Sequence, residues 1–426
     1  MNMQGNTNSF APTSELRWLF FDLNSYFASV EQQECPELRG KPVAVVPMMT
    51  DSTCAIAASY EAKALGIKTG TKIYEAREKC PDLQCVLARH DVYVDYHHRI
   101  FNELENHLHV TKICSVDEAA CLLLGHEREP DNARKLALQI KDGMKRNVGA
   151  HVGSSIGIAP NAYLAKMATE MQKPDGLVIL EPNHYKERLF ALKLTDLTGI
   201  NIRMEARLHK AGIYSIEQFW DLSPKHARKV WGSVGGERLW YKLHGYDVPE
   251  QETQKSVIGH SRVLDPALRA PNKAHDIARQ LTAKAASRLR RYNLYAGRLS
   301  LQLRSIDKRR WAKELGFSAT QDNFVFIELL DRMWQQMLRE LKPLQLFKVS
   351  ITLSGLCERE QITLDLFDVQ KPETPKNLAL TRSMDDLNKR FGSGTISVGS
   401  CPKTLAGYVG TKIAFTRVPE KAEFSE

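Results

Sequence analysis

The chain has 426 residues, 43% hydrophobic and 26% charged, which is the composition of a globular protein and a length that predicts roughly two to four domains. No apolar run approaches the roughly 20 residues that span a bilayer, and the eight cysteines form no CxxC pair, so we expect a cytoplasmic protein without a membrane partner. The net charge of +9 suits a polyanionic partner, although solubility alone accounts for an excess of this size.

The first predicted element is a buried strand that ends in a carboxylate. It follows residues 1–15, which are polar and predicted to be disordered. The apolar residues Trp18–Phe21 precede Asp22, and the pattern then changes to polar and small residues around the aromatic pair Tyr26 and Phe27. A helix-like stretch follows Phe27 and extends to Gln33. A buried carboxylate is costly unless it is paired or binds a metal ion, so Asp22 needs a partner.

The predicted partner is the acidic pair Asp117 and Glu118, which interrupts a second apolar segment, residues 110–124, at a strand turn. Three carboxylates at the ends of neighbouring strands form an oxygen-only site of the kind that suits Mg²⁺. Two such ions, about 3.5 to 4 Å apart, can stabilise the attacking and leaving oxygens of a phosphoryl transfer. A solvated loop is the alternative for the acidic pair taken alone.

Strand and helix patterns alternate through the first 180 residues or so. Tyr60 and Lys63 follow a strand end that opens a helix, and a strand of small residues is predicted over residues 152–158. The order strand, helix, hairpin, helix, strand predicts a ferredoxin-like layout with Asp22 on a central strand. Lys173 lies at a helix end, where a lysine commonly does no more than complement the helix dipole. Longer helical patterns cover residues 91–107, 131–147 and 161–172.

Two stretches have patterns typical of nucleic-acid binding: a turn near residue 200, and the segment after residue 256, where positive charge concentrates. Two short helices are predicted around Gly199 and Asn201, which resembles a helix-hairpin-helix whose backbone N–H groups bind a DNA phosphate. In a later strand every second residue is leucine, and Arg298 and Arg304 lie on the opposite face, where they could contact a phosphate backbone or only solvent. The helix before this strand, residues 274–292, ends in three arginines: Arg288, Arg290 and Arg291.

In this order the motifs resemble the Y family of lesion-bypass DNA polymerases, which includes the DinB-like and UmuC-like enzymes. The resemblance extends from about residue 16 to residue 355. It implies a multidomain α+β fold shaped like a right hand, with a ferredoxin-like palm, small fingers, a helical thumb with the helix-hairpin-helix, and an α/β little finger. The implied boundaries are a disordered N-terminus at 1–15, palm at 16–25 and 90–180, fingers at 26–89, thumb at 181–247, linker at 248–256, little finger at 257–356 and tail at 357–426.

The resemblance implies a template-directed, low-fidelity DNA polymerase that adds dNTPs to the primer 3′-hydroxyl and acts in DNA damage tolerance and SOS-type mutagenesis. Asp22, Asp117 and Glu118 would be catalytic and would bind two Mg²⁺ ions together with the main-chain carbonyl of Leu23. Phe27 would be the steric gate against ribonucleotides. The nucleotide-binding set would be Tyr26, Phe27, Tyr60, Lys63 and Lys173. The DNA-binding set would be Gly199, Asn201, Arg288, Arg290, Arg291, Arg298 and Arg304.

Two positions depart from the family pattern. Ala57 replaces its phosphate-binding threonine, and Lys63 replaces the usual arginine, which keeps the charge but loses the bidentate fork. These departures remove one hydroxyl and one bidentate contact from the implied triphosphate site.

The tail adds two expected partners. Leu364, Leu366 and Phe367 resemble the peptide with which bacterial polymerases bind the sliding clamp, although short apolar motifs also arise by chance. Residues 384–395 resemble the C-terminal region of UmuC-like proteins, which adds a UmuD-like accessory subunit to the implied partners. Three alternatives remain open: a catalytically silent scaffold for other polymerases, a non-catalytic DNA-binding repair module, and a nucleotide cyclase.

Overall fold

The structure is a computed structural model that describes residues 11–249, 255–362, 375–391, 395–396, 413 and 418. Residues 1–10 and the predicted clamp peptide, with Leu364, Leu366 and Phe367, lie outside the described residues. The chain divides into two compact units, which are described separately: the first contains residues 11–249 and the second contains residues 255–362 and 375–391. Within these ranges no helix is both long enough and apolar enough to cross a bilayer.

The first unit mixes strands and helices up to residue 179 and then continues with helices alone. In chain order they are β1 (Trp18–Leu23), α1 (Tyr26–Glu34), β2 (Val43–Val46), β3 (Ala57–Ala58), α2 (Tyr60–Ala64), α3 (Ile73–Lys79), β4 (Gln84–Leu87), α4 (His90–Glu105), β5 (Lys112–Ile113), β6 (Glu118–Leu122), α5 (Pro130–Gly143), β7 (Ser154–Ala159), α6 (Ala162–Met171), β8 (Leu177–Ile179), α7 (Tyr185–Phe190), α8 (Ile202–Lys210), α9 (Ile216–Trp220), α10 (Pro224–Trp231) and α11 (Val234–Leu243). The predicted helices at 91–107 and 161–172 are confirmed as α4 and α6.

The centre of the first unit is a five-stranded sheet with the order β5-β6-β1-β7-β8. β1 is antiparallel to both β6 and β7, so Asp22 lies on the central strand, as predicted. Both faces of β1 are covered, because Leu19 and Phe21 pack with α4 and α5 while Phe20 packs with α6 on the other face. A second, three-stranded sheet, β3-β2-β4, forms a smaller cluster with α2 and α3.

Two local features of this unit differ from the helical predictions. The helix predicted over 131–147 ends at Gly143 and continues as a π-helical turn, Met144–Val148, which a regular 3.6-residue period does not indicate. The first helix of the predicted helix-hairpin-helix is only a three-residue 3₁₀ turn, Leu194–Asp196, before α8. The hairpin glycine Gly199 has a φ of +100°, as a sharp turn requires.

The second unit is a four-stranded antiparallel sheet of order β11-β10-β12-β9 with helices on one face. The alternating leucines of the predicted strand, Leu299, Leu301 and Leu303, pack against those helices, so the period-two prediction is confirmed. Its elements are β9 (Val257–Val263), α12 (Pro271–Arg291), β10 (Tyr295–Ser305), β11 (Arg310–Thr320), α13 (Asn323–Leu341), β12 (Leu346–Cys357) and α14 (Pro375–Phe391).

Candidate active site

The three predicted catalytic acids are brought together by the register of the central sheet. Asp22 is directly opposite Glu118 in the β1–β6 pair, and the N–H of Leu23 donates to the carbonyl of Asp117 at 3.0 Å. Behind this turn, His97 lies with its Nδ1 2.7 Å from the carbonyl oxygen of Val116. Because a carbonyl can only accept, Nδ1 carries a proton, and burial lowers the pKa of the His97 ring.

Two lysines neutralise two of these acids. Lys173 Nζ donates to Asp22 Oδ1 at 2.8 Å and to Glu170 Oε1 at 2.7 Å, and Lys166 Nζ donates to Glu118. Asp22 is only 4% exposed, and burial raises its pKa to about 7 although Lys173 opposes that shift. Burial also raises the pKa of Asp117. The site thus contains buried carboxylates, and these keep their negative charge only where a cation lies beside them.

The three carboxylates of the predicted metal site have other hydrogen-bond partners in this structure, so the site stays a prediction. Over the described ranges, no three His, Cys, Asp or Glu side chains are grouped as metal ligands. Asp22 and Glu118 are bonded to lysines, and Asp117 Oδ1 accepts from Ser115 Oγ at 2.5 Å. The donor set nevertheless suits a hard divalent cation, because every group is an oxygen and two of the acids already bind a positive charge.

Lys166 is a site residue that the sequence analysis missed. It lies on α6, seven residues before Lys173, which is a helical spacing that places two side chains on the same side. That spacing between two lysines, immediately after a strand of small residues, was a signal available in the sequence.

The residues predicted to bind the triphosphate are also close together. The side chain of Ser59 caps α2, accepting from the N–H of Ala62, and Lys63 Nζ lies 4.5 Å from the centre of the Tyr60 ring. Burial, and then the nearby positive charge of Lys173, lower the pKa of Lys63. Burial raises the pKa of Tyr60, and the positive charge of Lys173 opposes that rise. Two lysines that repel each other across one site favour an anion between them.

The aromatic pair of the signature has two different environments. The Phe27 ring is partly exposed and stacks on Tyr93, with 4.2 Å between ring centres. Tyr26, in contrast, is 3% exposed, and its hydroxyl donates to the carbonyl oxygen of Tyr93 at 2.5 Å. The Tyr26 side chain is therefore part of the core, and the predicted nucleotide contact of this residue would have to come from its main chain.

The predicted phosphate-binding turn of the thumb is present with a different role for Asn201. Its φ is −93° rather than left-handed, and its Oδ1 accepts from the N–H groups of Arg203 and Met204 at 3.0 Å each. Asn201 is thus the N-cap of α8, and its side chain is not available for a phosphate. A cleft of about 690 Å³ lies between α6 and this turn and is lined in part by Glu170, Thr198 and Gly199.

The sheet face of the second unit that is opposite its helices carries a row of positive charges. Arg304 on β10 is directly opposite Arg310 on β11 and Lys348 on β12. Arg298 lies further along β10, 3.6 Å from Glu314. Like charges directly opposite each other destabilise a sheet, so a neutralising anion would stabilise this row. Arg310 and Lys348 were not in the predicted set, although β12 has the same period-two pattern.

The arginines at the end of α12 do not join this row, because α12 packs on the other face of the sheet. Arg290 is a correction to the predicted DNA-binding set. Its guanidinium donates to both carboxylate oxygens of Asp385 on α14, to the carbonyl of Gln321 and to Asn323. The Arg290 side chain is 7% exposed and connects α14 to the rest of the second unit. Arg288 lies over the ring of Tyr292, at 5.8 Å, and Arg291 is exposed.

Comparisons with known proteins agree with these features. The chain matches the family described as impB/mucB/samB over residues 21–170 and that family's C-terminal domain over residues 255–366. DNA polymerase IV of Moorella thermoacetica is 31% identical over 401 residues, which are 90% of this chain and 96% of that protein. DNA polymerase IV 1 of Bacillus subtilis is 30% identical over 396 residues, 90% of this chain and 92% of that protein.

Solved structures show the same fold. A Y-family DNA polymerase chimera aligns with a TM-score of 0.67 at 23% identity and covers 80% of this chain and 99% of its own. The chain therefore belongs to the Y family of DNA polymerases, and it is a DNA-directed DNA polymerase with a multidomain α+β fold.

Proposed function

We propose that this polymerase extends a primer across damaged DNA templates, with Asp22, Asp117, Glu118 and the carbonyl of Leu23 as ligands of two Mg²⁺ ions. The observation that carries the proposal is the register of the central sheet, which places Asp22 directly opposite Glu118 and the N–H of Leu23 against the carbonyl of Asp117. When bound, the ions would lower the pKa of the primer 3′-hydroxyl and neutralise charge on the reacting phosphates. The two carboxylates would exchange their lysine partners for metal.

The chain's own groups bind and orient the nucleotide. Lys63 and Lys173 hold the triphosphate between them, which offsets the repulsion that, after burial, lowers the pKa of Lys63. Tyr60, whose ring lies beside Lys63, forms one wall of this site. The Phe27 ring lies against the sugar and collides with a 2′-hydroxyl, so that ribonucleotides are excluded by shape.

DNA is held by groups in both units. The turn at Gly199 and the N-terminus of α8 present backbone N–H groups to a phosphate of the duplex. The row Arg310, Arg304 and Lys348, together with Arg298, follows a phosphate backbone and reads no bases. The palm, fingers, thumb and little finger boundaries given above belong to the same proposal.

The biological setting is damage tolerance and SOS-type mutagenesis. The segment with Leu364, Leu366 and Phe367 binds a sliding clamp, and the region after it receives a UmuD-like accessory subunit. One observation favours the scaffold alternative: Asp22 and Glu118 are already neutralised by lysines, as they would be in a protein that never binds metal.

The deciding experiment is primer extension by the full chain with Mg²⁺ and four dNTPs, on undamaged and abasic templates. We expect extension on both templates, no extension in EDTA, and recovery when Mg²⁺ is restored. A folded protein that binds primer-template but adds no nucleotide at any Mg²⁺ concentration would contradict the polymerase mechanism and favour the scaffold.

Removing two charges of the cationic row should weaken DNA binding in a salt-dependent way. For Arg304→Gln/Lys348→Gln, we expect the slope of log K against log salt concentration to fall by about two, since each phosphate contact contributes roughly 0.9. Fluorescence anisotropy with labelled primer-template from low to moderate salt measures the slope. Arg332→Gln is the matched control, because this arginine is 62% exposed but lies on α13, on the other face of the sheet. Equal slopes for wild type and the double variant would show that the row does not contact DNA.

A further inference from the structure

Phe27 lies on a flat aromatic support rather than on flexible aliphatic side chains. Its ring is stacked on Tyr93 of α4 at 4.2 Å between centres and 12° between planes, and His90 meets it edge-on at 6.0 Å. Tyr93 itself is fully buried. Because stacked rings resist tilting and sliding, the position of Phe27 depends on where Tyr93 is held.

Tyr93 is held by an ion pair whose carboxylate is buried and whose arginine is partly exposed. Its hydroxyl donates to Glu31 Oε1 at 2.7 Å, and the carboxylate of Glu31 is 1% exposed. Arg89 donates to both oxygens of the same carboxylate, at 3.1 Å from Nε and 2.6 Å from Nη2. The Glu31 carboxylate therefore accepts three hydrogen bonds, two from Arg89 and one from Tyr93. Burial, and then the adjacent negative charge, raises the pKa of Tyr93, so the hydroxyl keeps its proton.

A second hydrogen bond connects the two helices. The side-chain hydroxyl of Tyr26, the residue before Phe27, donates to the main-chain carbonyl oxygen of Tyr93. Phe27 and Glu31 are four residues apart on α1, and Arg89 and Tyr93 are separated in the same way at the start of α4. One residue of each pair therefore lies in the stack and the other in the ion pair, which connects the two helices rigidly at the point where the gate ring emerges.

We propose that Tyr93, held by Glu31 and Arg89, is the positioning residue that fixes the sugar-discriminating ring of Phe27. The inference rests on the proposed role of Phe27 as the steric gate. Sugar discrimination by shape needs the ring to be held to within a fraction of an ångström, because a 2′-hydroxyl adds only one atom. Loss of the support lets the ring yield to a ribonucleotide without removing any group that binds the triphosphate or DNA.

The test is the ratio of kcat/KM for a dNTP to kcat/KM for the matching rNTP, measured by single-nucleotide primer extension. For Tyr93→Ala we expect this ratio to fall by about tenfold, because a small displacement of a positioning group has large kinetic effects. The fall should come mainly from better use of the rNTP. Tyr96→Ala is the matched control: Tyr96 lies on the same helix and donates to Glu34 of α1 at 2.6 Å, but it is not in the stack. Its ratio should stay near that of wild type.

The double variant Phe27→Ala/Tyr93→Ala separates the inference from the gate proposal. If Tyr93 acts through Phe27, the double variant has the same ratio as Phe27→Ala alone. An unchanged ratio in Phe27→Ala would contradict the gate itself and the inference with it. If Phe27→Ala lowers the ratio but Tyr93→Ala leaves it unchanged, the inference alone is overturned. The same holds if Tyr93→Ala slows the use of both nucleotides equally. If Tyr93→Ala does not fold, Glu31→Gln serves in its place, because it keeps an acceptor for Tyr93 but loses the charge that binds Arg89, and the ratio should fall less steeply.

Discussion

Replacing Asp117 and Glu118 together with alanine is expected to lower the rate of nucleotide addition by about a thousandfold, since metal ligands contribute several kcal/mol to the transition state and each 1.36 kcal/mol is a factor of ten. Glu118 begins β6 opposite Asp22 and Asp117 immediately precedes it, so the substitution removes two of the three proposed side-chain ligands. Single-turnover extension of a labelled primer measures this rate without interference from product release.

The same variant should bind primer-template with unchanged affinity, because the proposed DNA contacts lie elsewhere. Its melting temperature should no longer rise when Mg²⁺ and dNTP are added together, whereas that of wild type should, because a ligand that binds the folded state stabilises it. Glu170→Gln provides a control at the same site: Glu170 accepts from Lys173 but is 44% exposed and is not a proposed ligand. Near-normal extension by the double alanine variant would place the metal site elsewhere.

The Lys166 pairing affects the interpretation of this experiment. When Glu118 is removed, Lys166 Nζ loses its acceptor in a partly buried position, close to the Phe20 ring. Some loss of stability is therefore expected beside the loss of catalysis. Thermal unfolding of the metal-free variant measures that part on its own, and a folded variant with normal DNA affinity assigns the remaining effect to chemistry.

The features that the sequence predicted best are those that depend on local period. Asp22 at the end of an apolar run, and the leucines that alternate with Arg298 and Arg304, are visible because one strand determines them. That Asp22 and Glu118 lie on neighbouring strands follows from the ferredoxin-like order of elements, which few topologies satisfy.

The features that the sequence did not predict depend on contacts between distant elements. Arg290 is in a basic cluster that has the pattern of a DNA contact, but its partner Asp385 is 95 residues further along the chain. Lys166 could equally face solvent until the packing of α6 on the central sheet is known. Asn201 could be a left-handed turn residue or a helix cap, and only the start of α8 decides between them.

The close approach of α6 to the sheet makes Gly157 a position where one added methyl group should have a large effect on stability. A Cβ at Gly157 would lie 2.0 Å from the carbonyl oxygen of Ala165 and 2.8 Å from both the N–H nitrogen of Thr169 and Cβ of Ala168. Two of these three neighbours are backbone atoms inside a helix, so the clash can be relieved only by moving α6. We expect Gly157→Ala to lower the free energy of unfolding by about 3 kcal/mol, the upper end of the usual cost of overpacking. Urea unfolding followed by circular dichroism measures it.

Gly297→Ala on β10 is the matched control, because it also adds a methyl group to a strand glycine. Its Cβ would meet nothing closer than 3.5 Å, so the variant should unfold near the wild-type urea concentration. Because α6 carries Lys166 and leads directly to Lys173, a displaced helix should also withdraw the cations from Asp22 and Glu118. Gly157→Ala protein that remains folded should therefore extend primers more slowly, whereas Gly297→Ala should not. Wild-type stability in Gly157→Ala would mean that α6 is packed less closely on β7 than the structure shows, and the assignment of Lys166 to Glu118 would then fail with it.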